Sequence, residues 1–201
     1  MGSVARSLFL TLALGATACA DGDPEPTHGT FLWVGGVAES DIAFAAVSST
    51  QSATLFFCGG PDSLVRGTHW LPYVAPLSGD FSEESSGVRV RGSVVPALLQ
   101  GTLEVPGERP RSFSAVGARL DGLAGLYEGI APCGHIGLIV FPEDAEGTRA
   151  QGTCVRTVEG EVQVEQVNPV MPLAALDDRG VAVEVGSDPQ PVIVRPVVLA
   201  E

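Results

Sequence analysis

The chain has 201 residues, of which 45% are hydrophobic, so it is long enough to form one domain with a proper core. Charged residues make up only 17%, while 25 Gly and 15 Pro interrupt the sequence; this composition disfavours long surface helices and favours short strands joined by turns. The formal net charge of −13 repels phosphate backbones and anionic headgroups, so we expect neither nucleic-acid binding nor electrostatic attachment to a membrane.

Residues 1–18 have the pattern of a signal peptide and are expected to form a signal helix. A short segment carrying Arg6 precedes the apolar run Leu8–Gly15, which is well below the roughly 20 residues of a membrane-spanning helix. Ala16-Thr17-Ala18 fits the small-residue rule for ordinary secretion. The segment ending in Cys19 also resembles a bacterial lipobox, with Ala16 in place of the usual Leu. Both interpretations predict cleavage immediately before Cys19.

We expect Cys19 to be acylated, and residues 19–29 to form the lipid anchor and a flexible linker. Ala20–Gly29 is polar, acidic and rich in Pro and Gly, as such linkers are. Residue 20 is Ala and not Asp, so the common signal for retention at the inner membrane is absent there. The sequence therefore predicts a protein held by N-terminal acyl chains at the outer membrane or cell surface, or otherwise a periplasmic or secreted one.

Residues 30–201 alternate apolar and polar side chains with a period of two, which is typical of half-buried strands. In Val88–Arg91 the alternation is clean, so the valines should face a core and the arginines water. The predicted strands are, in chain order, Thr30–Val37, Ile42–Ser48, Ala53–Cys58, Thr68–Val74, Val88–Arg91, Gly101–Val105, Ser112–Gly117, Gly125–Gly129, His135–Phe141, Gln151–Val155, Val162–Val167, Val181–Val185 and Val192–Val198.

This spacing predicts an all-β fold, an antiparallel meander that closes into a barrel or a sandwich. We expect residues 30–201 to form a single β domain, because a separate unit of about 30 residues is too small to bury a core. Residues 168–201 are expected to form a C-terminal hairpin extension of that domain. Helical signal is limited to one possible turn at Pro96–Leu99.

The cysteines beyond Cys19 number three, so an oxidising compartment leaves one of them unpaired. Cys133 and Cys154 flank a predicted hairpin and are 21 residues apart, a natural separation for one structural disulfide. Cys58 ends an aromatic strand and would then be a buried free thiol. If Cys19 is not acylated, four thiols are available and two disulfides become possible.

No nucleophile elbow, Walker loop, dinucleotide-binding turn or zinc-protease helix occurs in the sequence, and we predict neither a cofactor nor a metal site. Asp62, Ser63 and His69 form a loose cluster that matches no known triad spacing. Cys133 and His135, with His69, are the nearest approach to a metal-ligand set. Trp70 and Tyr73 are weak candidates for a ligand platform, although alternation suits Trp70 equally well to a core.

Several short motifs together resemble a group of small bacterial lipoproteins and secreted β-domain proteins of unknown function. The motifs are Leu55–Gly60 (Leu-Phe-Phe-Cys-Gly-Gly), Ala124–Gly129 (Ala-Gly-Leu-Tyr-Glu-Gly), Cys133–Val140 and Gln151–Cys154. In that group a Gly-Thr-Asp-x-x-Ala entry strand, a Cys-Asp/Gly-Gly turn and a Gly-Leu-Tyr strand recur in order; the entry here, Ala38–Ala43, matches in part. The resemblance covers Phe31 to Val155 and implies a β fold and export, with no catalytic residue to transfer.

The leading functional prediction is a membrane-anchored lipoprotein that is not an enzyme and serves as a binding or envelope-structural module. The alternative is a secreted hydrolase or metal-dependent enzyme that uses Asp62, His69 and His135. A third hypothesis is an inhibitor of, or partner for, an envelope enzyme. The protein or small-molecule partner is not specified by the sequence.

Overall fold

The computed structural model describes residues 30–73, 75–95, 97–119, 122–145, 147–176, 179–186 and 190–199. The predicted signal helix, the acylation site Cys19 and the linker lie outside these described residues. Within them the chain is all-β, as predicted, and contains no α-helix. The strands are β1 Phe31–Val37, β2 Ala43–Ser48, β3 Ala53–Cys58, β4 His69–Tyr73, β5 Gly79–Ser85, β6 Val88–Val95, β7 Leu98–Glu104, β8 Arg111–Gly117, β9 Gly125–Ala131, β10 Gly134–Val140, β11 Ala150–Val158, β12 Glu161–Pro169, β13 Val181–Val185 and β14 Val192–Pro196.

The strands form two bodies, which we call the N-terminal sheet (β1–β8) and the C-terminal barrel (β9–β14). In the N-terminal sheet the order is β4-β3-β2-β1-β8-β7-β6-β5. Strands that follow one another in the chain are paired, except that β4 does not pair with β5. The sheet is thus a nearly closed antiparallel meander. Pro72 in β4 lacks an amide N–H and suits an edge strand, and the acidic side chains of β5 discourage further pairing there.

All eight strands of the N-terminal sheet contribute inward-facing side chains to one hydrophobic core. Val88 and Val90 are buried in that core while Arg89 and Arg91 face solvent, which confirms the alternation predicted from the sequence. Phe44, Phe57 and Phe113 pack ring against ring at its centre, with centroids 4.6 to 5.5 Å apart. An interior this full of side chains leaves room for a ligand only towards the ends of the sheet.

The C-terminal barrel is closed, in the order β10-β11-β12-β13-β14-β9. Closure occurs where β14 pairs with β9, through Arg195 opposite Glu128 and Pro196 opposite Tyr127. The segment predicted as a C-terminal hairpin extension therefore supplies two strands of this barrel, β13 and β14. Its interior is filled by aliphatic side chains, by Tyr127 and by the half-cystines Cys133 and Cys154.

The two bodies pack face to face through a third cluster of buried side chains. The outer faces of β1, β2 and β3 supply residues such as Val34, Ala45 and Phe56, and the barrel supplies Leu126 and Ile139. This contact explains why every residue of β2 is buried: one face lies in the core and the other against the barrel. The prediction of one closed sheet is therefore refined to two packed meanders.

Candidate functional site

A mostly apolar groove of about 880 Å³ lies at the end of the N-terminal sheet where β1 begins. At this end the turns after β4 and β6 and the end of β8 meet the first described residue, Thr30. The volume falls within the range of small-molecule sites in proteins. The described residues that line it are Thr30, Phe31, Leu32, Trp33, Leu77, Ser78, Gly79, Val94, Val95, Ala97, Gly117, Ala118 and Arg119.

The charge of this groove differs from that of the whole protein. Arg119 is the one charged side chain among the described lining residues, although Asp and Glu together outnumber Lys and Arg by 24 to 11 in the chain. A smaller apolar cavity of about 210 Å³ adjoins it between the two bodies and shares Thr30 and Leu32. Its described lining likewise includes a single charged residue, Arg179.

The rim of the groove exposes large apolar side chains to solvent. Phe31 stacks on Trp33 at 5.9 Å between ring centroids and is 45% exposed. Val95 and Val116 point outward at the same end and are 40% and 54% exposed. They belong to a cross-strand row in which Leu98 pairs with both. Exposed apolar patches of this kind mark sites of interaction with ligands, proteins or membranes.

The opposite end of the N-terminal sheet is polar and is organised by Asp41, in the turn between β1 and β2. The Asp41 carboxylate accepts hydrogen bonds from the Asp62 N–H at 2.7 Å and from the Ser63 hydroxyl. Partial burial raises the pKa of Asp41, but these hydrogen bonds outweigh it, so the pKa lies below its ordinary value. Gly60 makes this approach possible, because a Cβ there would lie 2.5 Å from Asp41 Oδ2.

Gln151 of β11 extends this polar network to the C-terminal barrel. Its side-chain amide donates to the carbonyl oxygens of Asp41, at 2.9 Å, and of Cys58, at 2.6 Å. The turn at Asp41, the end of β3 and the barrel are thereby joined at one point. A hydrogen-bond network between backbone carbonyls and a positioned amide is suited to structure rather than to proton transfer.

The loose cluster of Asp62, Ser63 and His69 is not assembled as a triad in the described contacts. The Ser63 hydroxyl donates to Asp41, and His69 Nε2 bonds to the Arg66 carbonyl oxygen at 2.5 Å. Burial lowers the pKa of His69, so its ring is the neutral form at neutral pH. His69 and Ser63 thus have separate partners, and the loop between β3 and β4 is closed by its own hydrogen bonds.

His135 lies on the other side of β4 from His69. Its ring stacks on Trp70 with centroids 4.6 Å apart, and its Nε2 lies 3.1 Å from Glu128 Oε2. Adjacent strand residues point to opposite faces, so Trp70 faces the barrel while His69 faces the core side of the sheet. The described hydrogen bonds of His69 and His135 therefore belong to two different networks.

Trp70 and Tyr73, the predicted ligand platform, also lie on opposite faces of β4. Trp70 is held between Phe56 and His135 in the contact between the bodies. Tyr73 packs against the core of the N-terminal sheet, with its ring 6.0 Å from that of Phe81. Their separation of three residues along a strand already implies opposite faces, and this parity is a signal that the sequence carries.

The cysteines are arranged as the spacing predicted. Cys133, in the turn between β9 and β10, forms a disulfide with Cys154 of β11, with their Cα atoms 6.0 Å apart. Cys58 is a free, fully buried thiol whose Sγ lies 3.8 Å from Thr153 Oγ1 of the barrel. Burial raises the pKa of Cys58 to about 12, so the thiol is protonated and unreactive at neutral pH.

Within the part of the chain that the structure describes, no group of three or more His, Cys, Asp and Glu side chains could hold a metal ion. The same residues contain no apolar helix of membrane-spanning length.

The groove was not anticipated from the sequence, because its residues come from four separate places along the chain and match no motif. Asp41 and Gln151 were missed for the same reason. The partial entry motif Ala38–Ala43 and the Cys-Gly-Gly turn do meet in space, since Gly60 N–H donates to the Asp41 carbonyl oxygen at 3.1 Å. Comparisons of this chain with protein-family models, with curated proteins and with solved structures find no match.

Proposed function

We propose that this protein is an exported lipoprotein, anchored through acylated Cys19, whose two-bodied β fold is a non-catalytic module that binds an apolar or amphipathic ligand. The observation that carries the proposal is the groove at the end of the N-terminal sheet. It is mostly apolar, it has a volume suited to a small ligand, and its lining includes Thr30, which follows the predicted linker in the sequence.

The composition of the groove supports binding rather than catalysis. Its described lining holds no His, Cys, Asp or Glu, the residue types that most often act as acids, bases or metal ligands. An apolar ligand with one anionic or dipolar group fits a lining of aliphatic and aromatic side chains with Arg119 at its edge. Binding of this type derives its free energy from burial of apolar surface and its orientation from few polar contacts.

Anchoring is tested by intact mass spectrometry of the protein purified from membranes. We expect a chain that begins at Cys19 and carries the additional mass of acyl chains. Thiol labelling after unfolding should then find one free cysteine, Cys58, because Cys133 and Cys154 are joined. A chain that begins at Met1, or a Cys19 found in a disulfide, contradicts the proposal.

Ligand binding is tested with the Cys19→Ser chain, which cannot be acylated, and a fluorescent anilinonaphthalene dye as an apolar probe. Gly117→Trp places a large side chain in the groove, where the nearest atom to a Cβ at Gly117 is 3.8 Å away. We expect this change to weaken dye binding by about tenfold, because the Trp side chain would occupy space that the dye fills. The loss corresponds to the free energy of burying roughly one aliphatic side chain. Val162→Trp, on the exposed face of β12, is the matched control. Equal dye binding by both variants would place the site elsewhere.

A further inference from the structure

We propose that the apolar end of the N-terminal sheet rests in the headgroup region of a membrane, and that its groove receives an acyl chain of a bilayer phospholipid. This inference rests on the proposed function in one respect, namely that the protein works beside a membrane. It goes further in naming the ligand and in fixing which end of the fold faces the lipid.

The groove end of the N-terminal sheet follows directly on the predicted linker in the sequence. Thr30, the first described residue, lines both the groove and the adjoining cavity. Ten residues separate Cys19 from Thr30, and even when fully extended they span no more than about 36 Å. An acylated Cys19 therefore keeps this end of the sheet within a short distance of the bilayer. The opposite end of the sheet is farther from Thr30, where the predicted linker joins, by the length of a seven-residue strand, about 23 Å.

The two ends of the N-terminal sheet differ in charge. At the groove end the described lining includes Arg119 and no carboxylate. At the opposite end Glu39, Asp41, Asp62 and Glu108 lie around one cavity with Arg66 and Arg111. Contact with a bilayer would remove those carboxylates from water at high cost, whereas the groove end has none in its described lining to desolvate. An arginine at the rim suits the phosphate layer of a membrane.

The groove end also exposes large apolar side chains. Phe31 at the mouth, Val95 and Val116 on the outer row, and Val198 beside the adjoining cavity are all exposed. Four large apolar side chains thus surround one end of an otherwise strongly acidic protein. Their insertion among lipid headgroups buries apolar area, and the groove behind them, with a volume of about 880 Å³, offers space for a chain of methylenes.

The structure offers closely matched variants for a test. Val95 and Val116 are 40% and 54% exposed, and Val158 and Val162 on the hairpin of β11 and β12 are 40% and 55% exposed. Val95→Asp/Val116→Asp and Val158→Asp/Val162→Asp therefore add the same charge at the same exposure. Both pairs are made in the Cys19→Ser chain, so that no covalent anchor contributes to binding.

Flotation with phosphatidylcholine vesicles measures the partition of each chain onto lipid. We expect the Cys19→Ser chain to float with vesicles. The partition coefficient of the Val95→Asp/Val116→Asp chain should fall by about tenfold or more, and that of the Val158→Asp/Val162→Asp chain should not change. Failure of the Cys19→Ser chain to float, or an equal loss in both variants, overturns the inference. Binding of monomeric lysophosphatidylcholine without binding of vesicles also overturns it, in favour of a soluble ligand.

Quenching of tryptophan fluorescence by lipid supplies a second measurement, and it reports directly on which part of the protein contacts the bilayer. Trp33 lines the groove, whereas Trp70 lies between the two bodies. With vesicles of brominated phosphatidylcholine, the Trp70→Phe chain, which reports from Trp33, should be quenched, and the Trp33→Phe chain should not. The reverse pattern contradicts the proposed orientation. Both experiments use an unacylated chain. A negative result in them therefore does not contradict acylation of Cys19, and a Cys19 without acyl chains does not contradict a positive result.

Discussion

The indole ring of Trp70 in the N-terminal sheet stacks on the imidazole of His135 in the C-terminal barrel, with ring centroids 4.6 Å apart and planes inclined by 17°. The other face of the indole lies on Phe56, at 4.2 Å. Glu128, on the strand beside His135, holds the imidazole Nε2 at 3.1 Å. Three stacked rings thus join the two bodies, and Glu128 holds the His135 ring from within the C-terminal barrel.

Gly137→Ala tests how tightly the bodies are packed. A Cβ at Gly137 would lie 2.5 Å from Phe56 Cζ and 2.7 Å from Trp70 Cζ2, so the rings must move to admit it. We expect the free energy of unfolding to fall by about 1–3 kcal/mol, as for other overpacked cores. Urea unfolding measures this change. Gly122→Ala is the control, because its Cβ would meet nothing closer than 3.9 Å. Equal stability of the two variants would mean that the contact is looser than described.

Removal of the disulfide should destabilise the C-terminal barrel. The bond closes a loop of 21 residues, and its loss is expected to lower the free energy of unfolding by about 3 kcal/mol in the chain-entropy account. The measurement compares wild type with the Cys133→Ala/Cys154→Ala variant, with and without reductant. Reductant should lower the Tm of wild type and of Cys58→Ala, but leave the double variant unaffected. A wild-type Tm that does not respond to reductant contradicts the role assigned to the bond.

Cys58 should make the protein sensitive to alkali. Burial raises the pKa of its thiol from an ordinary value of 9.0 to about 12 in the folded state. Because the folded state disfavours the thiolate, the contribution to stability is complete below pH 9.0 and is lost as pH rises towards about 12. Unfolding in urea at pH 8 and pH 10 should therefore show a greater loss for wild type than for Cys58→Ala. Parallel losses in the two proteins would contradict this account.

Asp41 should contribute stability that is lost in acid. Its folded pKa lies below the ordinary value of 3.8, so its contribution is present above that value and disappears as pH falls through the folded pKa. At pH 6 we expect Asp41→Asn to be less stable by about 1–3 kcal/mol, because hydrogen bonds to a charged acceptor are weakened. Between pH 6 and pH 3 the difference from wild type should shrink. Asp62→Asn, at an exposed position of the loop between β3 and β4, serves as control and should leave the free energy of unfolding at pH 6 unchanged.

The strand pattern was predictable because most strands alternate or carry continuous apolar runs. Ala53–Cys58 and Val181–Val185 were predicted with the bounds that the structure shows. β5 was missed: in Gly79–Ser85 only Phe81 is buried, so an edge strand of polar residues gives no periodic signal. Leu98, within the predicted helical turn, begins β7 instead, and Ala97 before it has a φ of 62° in the tight turn.

The division into two bodies could not be predicted from the sequence. An apolar residue gives the same signal whether its side chain lies in a core or in a contact between bodies. Phe56 and Phe57 are both fully buried, yet Phe57 lies in the core of the N-terminal sheet and Phe56 against the barrel. The pairing of Cys133 with Cys154 was accessible, since it depends on a local hairpin. The groove depends on which strand ends meet, and that follows only from the closure of β1 onto β8.

The pairing of β14 with β9 also sets an order of assembly for the nascent protein. The strand that closes the C-terminal barrel, β14, is the last of the described strands, and its partner β9 ends about sixty residues earlier in the sequence. Until Val192–Pro196 arrives, β9 presents an open edge, and open edges recruit other chains. A chain shortened before Val192 should therefore accumulate as aggregates even if its first eight strands close, so the five residues of β14 protect solubility out of proportion to their number.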